Sequence, residues 1–222
     1  MSEITASGPM SKLHADQPIL TAGVPLAQAR AAVVLIHGRG ATAESILDLT
    51  TVLHGADLAY LAPQAAGQTW YPQSFLAPLA ANEPWLSSAL ATLDGLLAQV
   101  AASGIVPAQT VLLGFSQGAC LALEYGARHA QHWGGLVGLS GGLIGPAGTP
   151  RDYTGTLTGT PVFLGCSDID AHIPKSRVIE SGDVFRRLGA TVDLRLYPGM
   201  GHTINRDELT AVQDLLDALG RD

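Results

Sequence analysis

The chain has 222 residues, 47% of them hydrophobic and 14% charged, with a formal net charge of −7. That is enough length and apolar content for one domain with a sizeable core. It excludes a disordered chain, and the acidic balance speaks against a polyanionic partner such as nucleic acid.

Residues 1–12 read as a loose tail with no basic start and no apolar segment, so no secretory signal is expected and the cytoplasm is the default compartment. Residues 19–29 suggest an edge hairpin turning at Gly23-Val24-Pro25. The longest strong apolar run, residues 31–36, is strand-sized and falls short of the ~18 residues a membrane span needs, so no membrane insertion is expected. Its continuous apolar character from Ala32 to Ile36 is that of a strand buried on both faces. Thr42 suits an N-cap, and Ile46, Leu49 and Leu53 recur at helical spacing, predicting a helix over residues 42–53. Residues 58–62 read as the next strand. The stretch 63–85, rich in proline, glutamine and aromatics, reads as a lid or binding loop, with Trp70, Tyr71, Phe75 and Trp85 as candidate substrate contacts.

Leu86, Leu90, Leu93, Leu97 and Val100 predict an amphipathic helix that ends near Ser103-Gly104. Strand and helix then alternate: strand 110–115, helix 117–128, strand 136–139, a loop over 141–160, strand 161–165, helix 175–188, strand 192–197 and helix 206–219. No internal repeat interrupts this order. It implies one α/β domain over residues 1–222, with a mainly parallel central sheet and helices on both faces. Cys120 and Cys166 are too few for a disulfide framework and lack zinc-ligand spacing, so buried thiols and no metal are expected.

The sharpest motif is Gly114-Phe115-Ser116-Gln117-Gly118, set between an apolar strand and a helix. A serine on so sharp a turn crowds its own backbone, and glycine two residues before and after leaves room for neighbouring main chain. In a parallel sheet ligands bind at the carboxyl ends of strands. There the sequence places His37-Gly38-Arg39-Gly40, Ser116, Ser140-Gly141-Gly142, Asp168 and Asp170, and His202. Serine, acid, histidine is the chain order of an α/β-hydrolase triad: Ser116 as nucleophile, Asp170 as the group that orients the base, His202 as the base. Asp168 competes with Asp170, but Asp170 sits deeper in its loop, leaving Asp168 a structural role. The backbone N–H groups of Gln117 and Arg39 are the expected oxyanion donors. The Arg39 side chain is expected to be solvated, with steering of an anionic group as the alternative. His37 is expected to pack beneath the site and His14 to lie in the tail. Gly38-Arg39-Gly40-Ala41-Thr42-Ala43 also fits a dinucleotide fingerprint, but no carboxylate closes the following strand.

With those residues placed, the chain resembles the phospholipase/carboxylesterase family that includes acyl-protein thioesterases, over roughly residues 30–220. The resemblance is carried by His37-Gly38-Arg39-Gly40, Trp70-Tyr71, Gly114-Phe115-Ser116-Gln117-Gly118, Leu139-Ser140-Gly141, Asp170-Ala171-His172-Ile173-Pro174 and Gly199-Met200-Gly201-His202. It implies an α/β-hydrolase fold, the triad Ser116, Asp170 and His202, and cleavage of esters or thioesters without a cofactor. Departures are Cys166-Ser167 where the family usually has His-Gly, Ala119 in place of a glycine, and Pro72 in place of an acid. The expected activity is that of a serine hydrolase on small to medium hydrophobic acyl groups. Lysophospholipase or dienelactone-hydrolase-like activity and a non-catalytic binding protein of the same fold are the alternatives. The expected partner is a small-molecule ester or thioester substrate, with a homodimer as one option for assembly.

Overall fold

The computed structural model describes residues 12–219 and forms seven strands into one sheet. They are β1 (Ile19–Gly23), β2 (Ala31–Ile36), β3 (Leu58–Pro63), β4 (Thr110–Phe115), β5 (Gly135–Leu139), β6 (Pro161–Ser167) and β7 (Thr191–Tyr197). Their spatial order is β1-β3-β2-β4-β5-β6-β7; β1 runs antiparallel to β3 and every other pairing is parallel. The helices are α1 (Ala43–Leu47), α2 (Trp85–Ala102), α3 (Gln117–Arg128), α4 (Lys175–Arg187) and α5 (Arg206–Ala218).

The continuous apolar run of β2 explains the layering. Ala32, Val34 and Ile36 enter a core shared with Leu93 of α2, Leu121 of α3 and Val178 of α4. Ala31, Val33 and Leu35 enter a second core shared with Ile46 of α1 and with Val212 and Leu216 of α5. A strand apolar on both faces needs a helical layer on each side, and each buried Leu, Ile or Val contributes on the order of 1.5–3 kcal/mol. Among the described residues α2 is the one helix long and apolar enough to cross a membrane, with a mean hydropathy of 1.2. Its Leu86, Leu90, Leu93, Leu96 and Val100 are instead buried in the first core.

Three expectations change. Residues 19–29 do not form a hairpin: β1 pairs with β3, with Leu20 opposite Ala62, and a 3₁₀ turn at Leu26–Gln28 follows. The helix expected over 42–53 keeps its Thr42 cap, whose hydroxyl accepts from the Ser45 amide, but turns 3₁₀ at Asp48–Thr51. There the Thr50 and Thr51 hydroxyls bond the carbonyls of Leu47 and Asp48, the local competition that weakens a helix. The expected tail lies almost entirely outside the described residues, and His14 is not part of a loose segment: it is 1% exposed.

β3 and β4 leave β2 on opposite sides, so the order of strands reverses at the β2–β4 seam. Loops at such a reversal diverge and open a crevice at the strands' carboxyl ends. Arg39 follows β2 and Ser116 follows β4, which places both at this crevice.

Candidate active site

Ser116 sits between β4 and α3 with φ 56° and ψ −120°, a conformation that costs a non-glycine residue on the order of 1–3 kcal/mol. Its amide donates to the Leu139 carbonyl at 2.9 Å and its carbonyl accepts from the Cys120 amide at 3.0 Å, so both neighbouring elements hold the strained turn. The flanking glycines are required by close approach. A Cβ on Gly114 would stand 2.3 Å from the Gly118 backbone, and one on Gly118 would stand 2.0 Å from the Ile36 carbonyl oxygen.

The loops after β6 and β7 bring an acid and a histidine to that serine. The Ser116 hydroxyl lies 2.8 Å from His202 Nε2, and His202 Nδ1 lies 2.7 Å from Asp170 Oδ2. With Nδ1–H donating to the carboxylate, Nε2 is the free acceptor for the serine proton. Asp170 Oδ1 accepts from the amides of His172 and Ile173 at 2.8 and 3.0 Å, and its side chain is fully buried. Burial pushes this carboxyl up, but the His202 contact and the two amides outweigh it and hold it below the ordinary carboxylate range. Asp168 accepts from the Gly199 amide at 2.8 Å and so ties the loop after β6 to the loop that carries His202. Phe115 and His172 flank the His202 ring at centroid distances of 5.0 and 4.8 Å.

Gln117 at the start of α3 and Arg39 on the loop after β2 line the same cavity as Ser116. Among the described residues neither backbone amide donates to a protein acceptor. The amide of Gln117 opens α3, where the helix N-terminus adds partial positive charge. His37 lies beneath, fully buried; its Nε2 accepts from the Ala65 amide, and burial lowers its pKa, keeping the ring neutral. The Gly38–Ala43 segment thus serves the crevice beside Ser116; the α1 that follows spans only Ala43–Leu47.

A cavity of about 490 Å³ opens over Ser116 and His202, walled by Tyr71, Phe75, Cys120 and Ile173. Of the four aromatic candidates, Tyr71 and Phe75 reach it and Trp70 and Trp85 do not. Trp70 is fully buried, packed between His37 and His14 at centroid distances of 5.1 and 5.4 Å, with Nε1 donating to the His37 carbonyl at 2.9 Å. Trp85 opens α2 and packs edge-on against His14 at 5.5 Å. The stretch 63–85 is packed down as a strap, and its Tyr71 and Phe75 wall the cavity. Asn82, fully buried, bonds the Gln73 amide and the Ser74 carbonyl, and His14 bonds the Ala66 amide and the Trp70 carbonyl. Sequence reasoning missed His14 and Asn82, since neither stands in a motif and each acts on a segment distant in the chain. Cys120 and Cys166 are buried and free, as expected, with burial pushing both thiols up to about 12.

A mostly parallel sheet with a strained serine between its central strand and the next helix defines the α/β-hydrolase class, and the solved structures below share that fold. The sequence profile of the phospholipase/carboxylesterase family matches residues 23–219, and the chain belongs to that family. A phospholipase/carboxylesterase from Dyadobacter fermentans is 43% identical, with a TM-score of 0.89 over 94% of this chain and 99% of that one. Esterase PE8 is 28% identical, with a TM-score of 0.76 over 91% of this chain and 98% of its own. Acyl-protein thioesterase 1 of Gibberella zeae is 36% identical over 54% of this chain and 52% of its own length. The chain spans about half the length of the curated relatives it matches.

Proposed function

We propose that the protein is a serine hydrolase that cleaves carboxylic esters or thioesters through an acyl-enzyme. The observation that carries this is the line Ser116 Oγ, His202 Nε2, His202 Nδ1, Asp170 Oδ2, with contacts of 2.8 and 2.7 Å. His202 takes the Ser116 proton as Oγ attacks the acyl carbon, and Asp170 stabilises the imidazolium that forms. The oxyanion is received by the amides of Gln117 and Arg39. His202 returns the proton to the leaving alcohol or thiol, then activates a water that releases the acid and restores Ser116. The chain's own side chains supply every proton transfer, so the reaction needs no cofactor.

The cavity bounds the substrate. At about 490 Å³, walled by Tyr71, Phe75 and Ile173, it suits a small to medium hydrophobic acyl or aryl group. Two free, buried thiols fit a reducing compartment, and we take the cytoplasm as the site of action.

The test is turnover of p-nitrophenyl esters and acyl thioesters of graded chain length. Ser116→Ala and His202→Ala should each lose on the order of 10⁴-fold or more in kcat. Near-parental turnover in either variant would overturn the assignment. The chain-length series should peak at short to medium acyl groups; a peak at long chains would contradict the proposed pocket.

A further inference from the structure

The side chains of Arg39 and Gln117 turn away from the amides they present to the crevice and grip the strap. The Arg39 guanidinium donates to three successive carbonyls: Tyr71 at 2.9 Å, Pro72 at 2.8 Å and Gln73 at 2.7 Å. Among the described residues it meets no carboxylate within ion-pair distance. The Gln117 amide side chain donates to the Tyr71 carbonyl at 2.8 Å and accepts from the Trp70 amide at 2.9 Å. The strap grips back: Gln68 accepts from the Gly40 amide at 2.8 Å, and Trp70 Nε1 bonds the His37 carbonyl. Arg39 is exposed at the cavity mouth, where an unbound arginine would stay solvated and mobile. Here a planar fork of donors meets a fixed row of acceptors, the geometry that lysine cannot copy.

We propose that Arg39 is a positioning residue: its guanidinium locks the strap over the crevice and thereby fixes the backbone amide of Arg39 itself as an oxyanion donor. The same clamp holds the backbone of Tyr71, which walls the cavity together with Cys120 and Ser116. Oxyanion donors act through preorganisation, and a donor that wanders by a fraction of an ångström loses its advantage in the transition state before it loses ground-state binding. The inference rests on the hydrolase assignment above.

Steady-state kinetics on a short p-nitrophenyl ester test it with Arg39→Met and Arg39→Lys. Removing an oxyanion donor outright costs on the order of 10²–10³ in kcat, so loosening one should cost Arg39→Met about 10- to 100-fold in kcat, with KM moving less than about threefold. Affinity for a boronic acid that forms a tetrahedral adduct on Ser116 should fall by a similar factor. Arg39→Lys should recover part of the loss, and millimolar guanidinium should recover part of it in Arg39→Ala, neither of which a general loss of folding would allow. Parental kcat in Arg39→Met, or a loss confined to KM, would overturn the proposal while leaving Ser116→Ala inactive. Should Arg39→Met fail to fold, an inactive Arg39→Ala that guanidinium does not rescue overturns it equally. Full activity in Ser116→Ala would sink the hydrolase assignment and this inference together.

Discussion

The two halves of the proposed site are held by different forces. On the nucleophile side, Ser116 is fixed by backbone packed against backbone: Gly118 lies so close to β2 that a Cβ would meet the Ile36 oxygen at 2.0 Å. On the acid–base side, Asp170 and His202 stand on loops after β6 and β7 and are fixed by hydrogen bonds, from the His172 and Ile173 amides and through the Asp168 brace on Gly199. The first half responds to volume, and a single methyl group breaks it. The second responds to charge and donor pattern, and an isosteric change of one atom breaks it while the fold stands.

The largest effect expected from that contrast falls on the acid–base side. Asp170→Asn should lower kcat by on the order of 10⁴ with little change in melting temperature, because an amide facing Nδ1 favours the wrong tautomer. Asp168→Asn should cost less than about tenfold, since it only braces a loop. A larger loss in Asp168→Asn would reverse the two roles.

The nucleophile side should fail through stability. Gly118→Ala must push β2 and α3 apart and should cost about 3 kcal/mol or more, read as a drop in the denaturation midpoint, with activity lost in proportion. A variant of parental stability would show that the elbow is not held by contact with β2.

A smaller effect separates the halves by pH. Glu208 on α5 is fully buried beneath β6; Oε2 accepts from the Asn205 amide, Oε1 has no partner among the described residues, and burial raises the carboxyl to about 7. The folded chain thus holds this proton more tightly than the unfolded chain, whose carboxyl titrates near 4.5. Stability should fall by about 3 kcal/mol as pH rises from about 4.5 to about 7 and then level off. Glu208→Gln should flatten that fall in pH-dependent denaturation; an unchanged slope would place the titration elsewhere.

The contrast also decides what was legible in the sequence. β4 and α3 can be drawn to the residue from the chain alone, because the glycines that punctuate the elbow are local and their reason is steric. Asp170 and His202 are legible by chain order and by their place after strands. The strap is not. Trp70 reads as a substrate contact until the chain folds His14 and His37 onto its two sides, and the Arg39 side chain reads as solvated until residues 71–73 pass beneath it. Likewise β1 seems to turn back on residues just after it, whereas its partner is β3, some forty residues on. In each case the deciding contact joins segments far apart in sequence, which periodicity and turn chemistry do not encode.

The most direct measurement is intact-protein and peptide mass spectrometry after reaction with a fluorophosphonate. One adduct per chain, located on Ser116 and suppressed in His202→Ala, is the result expected of a nucleophile activated through His202. No adduct, or one on another residue with Ser116 unmodified, would contradict it.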